Sequence, residues 1–128
     1  MKNILVVDDS PTMRRMVMAS LREVENIRFF EAESGLEAIE QLSLSNIDLI
    51  MLDLNMPDMH GMEVLKFVRS HKKFAALPVI ILTTRGDEES RSAAIKAGAS
   101  IYLTKPFKPV QLVENICKVL NPDQEVPV

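Results

Sequence analysis

Asp8 and Asp9 stand side by side directly after the apolar run Ile4–Val7. At about 4 Å and an effective dielectric near 20, two such carboxylates repel by on the order of 4 kcal/mol. A third aspartate, Asp53, ends the run "IDLIMLD"; Thr83 ends "PVIILT"; Lys105 and then Pro106 follow "SIYLT". Each has an ordinary reading alone: an acid pair that caps a turn, an aspartate that ends a strand, a threonine that caps a helix, a solvated lysine. Together they offer three carboxylates, a hydroxyl and an ammonium, with negative charge in excess. A hard divalent cation with oxygen ligands suits that excess. Mg²⁺ fits because it takes one or two carboxylates, keeps waters and shares its remaining positions with a phosphate. Asp8 and Asp9 then form a metal seat, and without the ion at least one carboxyl pKa rises.

The elements that position these residues are legible from periodicity. Strand-like runs cover Asn3–Val7, Ile27–Ala32, Ile47–Asp53, Pro78–Thr83 and Ser100–Thr104. The first, third and fourth are nearly continuous in apolar residues, as expected of parallel strands covered on both faces. Amphipathic stretches separate them. "SPTMRRMVMASLREVEN" opens with Ser10 as N-cap and Pro11 at the first helical position, and carries Met13, Met16, Val17, Leu21 and Val24 on one face. The second stretch turns Leu36, Ile39 and Leu42 inward, the third Val64, Leu65 and Val68, and the last Leu112, Val113, Ile116, Val119 and Leu120. The fourth, "DEESRSAAIKAG", has a short, alanine-rich stripe that does not assign its inner face; Gly98 is its C-terminal stop. A helix with few large buried side chains is loosely held, which suits a moving element, although a small-residue helix packed closely on the sheet reads the same way. Five such βα units imply an α/β, doubly wound parallel sheet with right-handed crossovers and a site at the strands' carboxyl ends. Asp8, Asp9, Asp53, Thr83 and Lys105 all fall at that edge. Residues 1–120 read as one domain, and 121–128, "NPDQEVPV", as a short C-terminal tail.

Composition narrows the function classes. The chain has 128 residues, of which 47% are hydrophobic and 26% charged, as in a soluble globular domain. A net charge of −3 gives no electrostatic case for nucleic acid or an anionic membrane. A single cysteine, Cys117, excludes an internal disulfide and fits a reducing cytoplasm. No apolar run approaches the roughly 20 residues of a membrane span.

The segments "VVDDS", "MLDLNMPDMHGMEVL", "PVIILTT" and "AGASIYLTKPF", in this order and at these separations, resemble the response-regulator receiver domain, from Lys2 to Leu120. "TMRRMV", "LPVI" and "AGASIYLTKPF" bring the likeness closest to the single-domain chemotaxis regulators. The resemblance implies a flavodoxin-like (βα)5 domain with strand order 2-1-3-4-5. Asp53 would accept a phosphoryl group from a sensor histidine kinase or a small phosphodonor. Asp8, Asp9, Asp53 and the backbone carbonyl of Asn55 would bind Mg²⁺. Lys105 and Thr83 would contact phosphoryl oxygens, Tyr102 would follow Thr83 as a switch, and the Lys105–Pro106 bond would be cis. A carboxylate is a competent covalent acceptor, and metal and lysine stabilise charge on a transferring phosphoryl group. The implied protein is a cytoplasmic monomer that catalyses only its own phosphoryl transfer and dephosphorylation. It would act by docking the surface of helix four, strand five and helix five on an output partner such as a flagellar motor switch protein or a phosphatase.

Some positions depart from the family's chemotaxis members: Leu54 stands where tryptophan is familiar, Thr84 where a smaller residue is common, and Arg85 lies two beyond Thr83. Arg85 either shields phosphate or is simply solvated. His60 reads as a hydrated loop histidine and His71 invites no role. Competing readings are a phosphate sink without output, a haloacid-dehalogenase-like phosphatase and a flavin-binding domain. The phosphatase reading expects its nucleophile in an Asp-x-Asp pattern on the first strand. The flavin reading expects neutral donors where "DDSPTMRR" opens with two acids.

Overall fold

The structure is a computed structural model that describes residues 1–120; the tail expected at 121–128 lies outside them. Strands β1 (Lys2–Val7), β2 (Ile27–Ala32), β3 (Leu49–Leu52), β4 (Val79–Thr83) and β5 (Ile101–Thr104) alternate with helices α1 (Pro11–Ser20), α2 (Gly35–Leu44), α3 (Gly61–Ser70), α4 (Glu88–Lys96) and α5 (Pro109–Leu120). The strands form one sheet in the order β2-β1-β3-β4-β5, with every pairing parallel. The α/β, doubly wound reading therefore holds, as does the strand order that the resemblance implied. Chain order reverses between β1 and β3, so the crevice for a ligand opens at the carboxyl ends of those two strands.

Two-residue periodicity divides the central strands between two cores. Leu5, Val7, Ile50, Leu52, Val79 and Ile81 pack with Ala38, Leu42, Val64, Leu65, Val68 and Ala94 of α2, α3 and α4. Ile4, Val6, Leu49, Met51, Ile80 and Leu82 face the other way, against Val17, Leu21, Leu112 and Ile116 on the side of α1 and α5. Residues 4–7 and all of β3 and β4 are buried, because helices cover both of their faces, whereas the edge strands β2 and β5 are only partly covered.

The structure corrects two faces. Met16 is half exposed, because α1 turns Val17 and Leu21 onto the sheet and Met16 lies about 100° round from Val17. Leu36 is 62% exposed. The inner face of α2 is Gly35, Ala38 and Leu42, and the backbone at Gly35 packs so closely that an added Cβ would lie 2.6 Å from Met59 Cβ. The first helix also ends earlier than its apolar spacing suggests. It stops at Ser20; Leu21, Arg22 and Val24 then make i→i−3 bonds, and Asn26 takes a left-handed φ of 62° before β2. That tighter winding lets Leu21 stay buried while the chain turns back to the sheet edge. α4 buries only Ala94 completely, and Gly98 closes it at φ 108°.

Candidate functional site

The five residues singled out by type converge at the carboxyl edge of the sheet. Asp8 follows β1, Asp53 follows β3, Thr83 ends β4 and Lys105 follows β5. Parallel register carries this across: the Asp53 N–H donates to the Val7 carbonyl (3.0 Å), the Asp8 N–H to Ala32 (3.1 Å) and the Lys105 N–H to Thr83 (2.8 Å). Asp8, Asp53 and Thr83 are buried, while Asp9 is exposed.

Lys105 Nζ lies 2.6 Å from Asp8 Oδ2 and 3.6 Å from Asp53 Oδ2, so one ammonium bridges the two buried acids. Asp8 Oδ1 accepts from the Ser10 N–H, which closes a two-residue turn into α1. Asp53 Oδ1 accepts from the Asn55 N–H at 3.2 Å. Burial raises the Asp53 pKa above the ordinary aspartate value; Lys105 and the Asn55 N–H pull it down, the Asp8 charge pushes it up again, and burial prevails. One carboxyl of the cluster is thus raised, by burial first and by the neighbouring acid only as a smaller contribution.

Asp8, Asp9 and Asp53 each present a carboxylate oxygen within 4.8 Å of the others. Two oxygens on an octahedral Mg²⁺ are separated by about 3 to 4 Å at a metal–oxygen distance of about 2.0–2.1 Å. An all-oxygen set that needs only a small contraction fits that ion, and the excess charge left by one lysine among three acids favours it.

The surrounding residues complete the crevice. Asn55 is exposed, and its Nδ2 donates to Thr84 Oγ1 (3.3 Å) and more weakly to Thr83 Oγ1 (3.5 Å). Tyr102, on β5, is buried, and its hydroxyl donates to the Arg85 carbonyl. The Lys105–Pro106 peptide is cis. Arg85 is exposed; its carbonyl accepts from Tyr102 and its N–H donates to Thr83 Oγ1 (3.4 Å), whereas among the described residues no hydrogen bond holds its guanidinium. His60 is half-buried rather than a hydrated loop residue: it is the N-cap of α3, and its Nδ1 accepts from the Met62 N–H. His71 packs its ring on Phe74 and Phe67 at the far end of the same helix.

Two contributors escaped the sequence reading. Arg14 Nη1 donates to the Asp8 carbonyl at 2.6 Å while its Nε contacts Glu31 at 2.9 Å. A basic residue among the first four of a helix opposes the helix dipole, and that was the available signal. Asp58, in the loop after Asp53, accepts from the Gly35 and Leu36 N–H groups and so ties that loop to the start of α2. Its partner is 22 or 23 residues away in sequence, which no local pattern reveals.

Residues 4–117 match the response regulator receiver domain family. The chain is 41% identical over 119 residues to a chemotaxis protein CheY homolog of Campylobacter jejuni, covering 92% of each. It is 42% identical over 120 residues to the chemotaxis protein CheY1 of Helicobacter pylori, covering 92% of this chain and 96% of that protein. Among solved structures, the chemotaxis protein CheY4 of Vibrio cholerae superposes with a TM-score of 0.86 at 34% identity, covering 94% of this chain and 99% of that one. The Mn²⁺-bound response regulator Rcp1 superposes over 100% of both chains with a TM-score of 0.84 at 28% identity. With its CheY-like fold and its acidic cluster at the crevice, the chain belongs to the response regulator receiver domain family of two-component signalling.

Proposed function

We propose that this protein is a phosphorylation-gated switch of a chemotaxis-type pathway, with Asp53 as the acceptor. The observation that carries this reading is the placement of a buried carboxylate between a second buried acid and a shared lysine, at the switch point of the sheet. An Asp53 carboxylate oxygen attacks the phosphorus of a kinase phosphohistidine. A P–O bond forms as the P–N bond breaks, and the imidazole leaves with that electron pair. Asp8, Asp9, Asp53 and the Asn55 carbonyl would hold Mg²⁺, which would supply positive charge to offset that on the transferring group. The Mn²⁺-bound form of the related response regulator Rcp1 supports a divalent cation here. Lys105 exchanges part of its contact with Asp8 for a phosphoryl oxygen, and the Thr83 hydroxyl, which meets Asn55 Nδ2 and the Arg85 N–H at long range and lies against the Asp53 carboxylate, donates to another.

The output is the surface of α4, β5 and α5. Ile95 of α4 and Val110 of α5 are exposed there, and α4 is the least deeply seated helix by its buried side chains. Moving an equilibrium from 1:99 to 99:1 takes about 5.5 kcal/mol. Hydrogen bonds to a charged group contribute about 1.5–3 kcal/mol each, so two or three new bonds made only in the active state suffice. Tyr102, whose hydroxyl reaches the loop between β4 and α4, links that loop to the output face. The protein works in the cytoplasm beside a sensor histidine kinase; among the described residues, no helix is long and apolar enough to cross a membrane.

Intact mass after incubation with acetyl phosphate and Mg²⁺ tests the reading. Wild type should gain one phosphoryl group, with no gain in EDTA or in Asp53→Asn. A phosphoryl group retained by Asp53→Asn would place the acceptor elsewhere and overturn the assignment.

A further inference from the structure

Asp8 is fixed at every polar atom. Its N–H donates to Ala32, its carbonyl accepts from Arg14, Oδ1 accepts from the Ser10 N–H and Oδ2 meets Lys105. Asp9 is different: it is exposed, and among the described residues no hydrogen bond holds its carboxylate. The direction of the Asp9 side chain is therefore inherited from the backbone, and the first bond upstream is the Asp8–Asp9 peptide. The Asp8 carbonyl belongs to that peptide, and Arg14 Nη1 holds it at 2.6 Å. The Arg14 side chain is only 12% exposed, and its Nε is anchored 2.9 Å from Glu31 Oε1. The guanidinium thus spans from the end of β2 to the loop that carries both acids.

We propose that Arg14 is a positioning residue for the divalent-cation site, setting the Asp8–Asp9 peptide plane and with it the approach of the Asp9 carboxylate. This rests on the reading that Asp8 and Asp9 seat the cation. The leverage is geometric. A rotation of about 20° in a peptide plane moves a carboxylate some 4 Å away by roughly 1.4 Å. Mg²⁺ demands near-ideal octahedral geometry at about 2.0–2.1 Å, so a shift of that size matters.

Positioning and simple charge predict opposite signs. Arg14 brings a positive charge beside a cation site, so its removal by electrostatics alone would tighten Mg²⁺ binding. Loss of an outer-shell orienting bond weakens metal binding, typically about 10- to 100-fold. Glu31 does not discriminate, because removing its negative charge weakens the cation by either route.

The experiment is an Mg²⁺ titration of wild type, Arg14→Ala and Arg14→Lys, followed by backbone amide NMR shifts, with urea midpoints in EDTA alongside. Arg14→Ala should bind Mg²⁺ about tenfold more weakly. Arg14→Lys should also bind more weakly despite its retained charge, because one ammonium does not reproduce the planar fork that joins Glu31 to the Asp8 carbonyl. Equal or tighter binding by Arg14→Ala, with or without a change in urea midpoint, overturns the positioning role. If Arg14→Ala does not fold, Arg14→Lys decides, and wild-type affinity in that variant is the overturning result. Wild type that binds no Mg²⁺ removes the cation reading itself; wild type that binds, with unaffected variants, removes only Arg14.

Discussion

Lys105 leans on Asp8 rather than on Asp53: its Nζ is 2.6 Å from Asp8 Oδ2 but 3.6 Å from Asp53 Oδ2. All three side chains are less than 10% exposed, so the ammonium offsets charge where water cannot. Removing one partner of a buried pair costs about 3–5 kcal/mol, because it strands the remaining charge. Lys105→Ala should lower the urea-unfolding free energy by an amount of that order in EDTA. Saturating Mg²⁺ should recover part of the loss, since the ion replaces the missing positive charge. A solvated lysine would give a change within about 0.5 kcal/mol and no magnesium dependence.

Gly61 permits the chain after Asp53 to return against the site. Its N–H donates to the Leu54 carbonyl, and an added Cβ would lie 2.3 Å from the Asp53 carbonyl oxygen and 2.7 Å from Leu54 Cα. Both obstacles are backbone, so relief requires moving the acceptor residue itself. Gly61→Ala should destabilise by about 1–3 kcal/mol or more and reduce phosphoryl incorporation. Gly86→Ala is the control: its Cβ would meet only Thr104 Cγ2 at 3.5 Å, an ordinary contact. Chemical denaturation of both variants, with intact mass after acetyl phosphate, reads the difference.

The inner face of α2 gives a paired test of packing. Leu42 is fully buried and Leu36 is 62% exposed. Leu42→Ala should cost about 2–5 kcal/mol, from lost burial and the cavity left behind. Leu36→Ala should fall within about 0.5 kcal/mol of wild type. Comparable losses at both positions would contradict the orientation of this helix.

Asp87 caps α4, accepting from the backbone N–H of Ser90 and then from its hydroxyl, and these bonds hold its carboxyl below the ordinary value of 3.8. The folded state therefore prefers the ionised form. The stabilising contribution is complete above the unfolded value and is lost as pH falls through the lower folded value. Amide hydrogen exchange in the first turn of α4 should be faster in Asp87→Ala than in wild type at neutral pH. In equilibrium unfolding, the difference between the two proteins should fade only below pH 3.8. A difference that disappears at higher pH would assign the cap to another group.

Local pattern alone determined much of this protein. The continuous apolar runs around Ile4–Val7, Ile50–Leu52 and Val79–Leu82 required strands covered on both faces, and alternation with amphipathic stretches required helices on those faces. That made the carboxyl edge of the sheet the place to look for Asp8, Asp9, Asp53, Thr83 and Lys105. Ser10 with Pro11, and Gly98 with its left-handed φ, fixed helix ends by the chemistry of single residues. Tertiary structure decided what depends on partners distant in sequence. Leu36 and Met16 fit a helical stripe, but the sheet took Gly35 and Ala38 rather than Leu36, and kept Val17 of the expected α1 face while leaving Met16 outside, because close approach of a helix favours small or better-centred side chains. Lys105 chose Asp8 across 97 residues, and Arg14 chose the carbonyl of Asp8 and the carboxylate of Glu31. Periodicity reports which side of an element is apolar. It does not report which donor meets which acceptor, because that is settled only when separate strands bring their ends into hydrogen-bonding range.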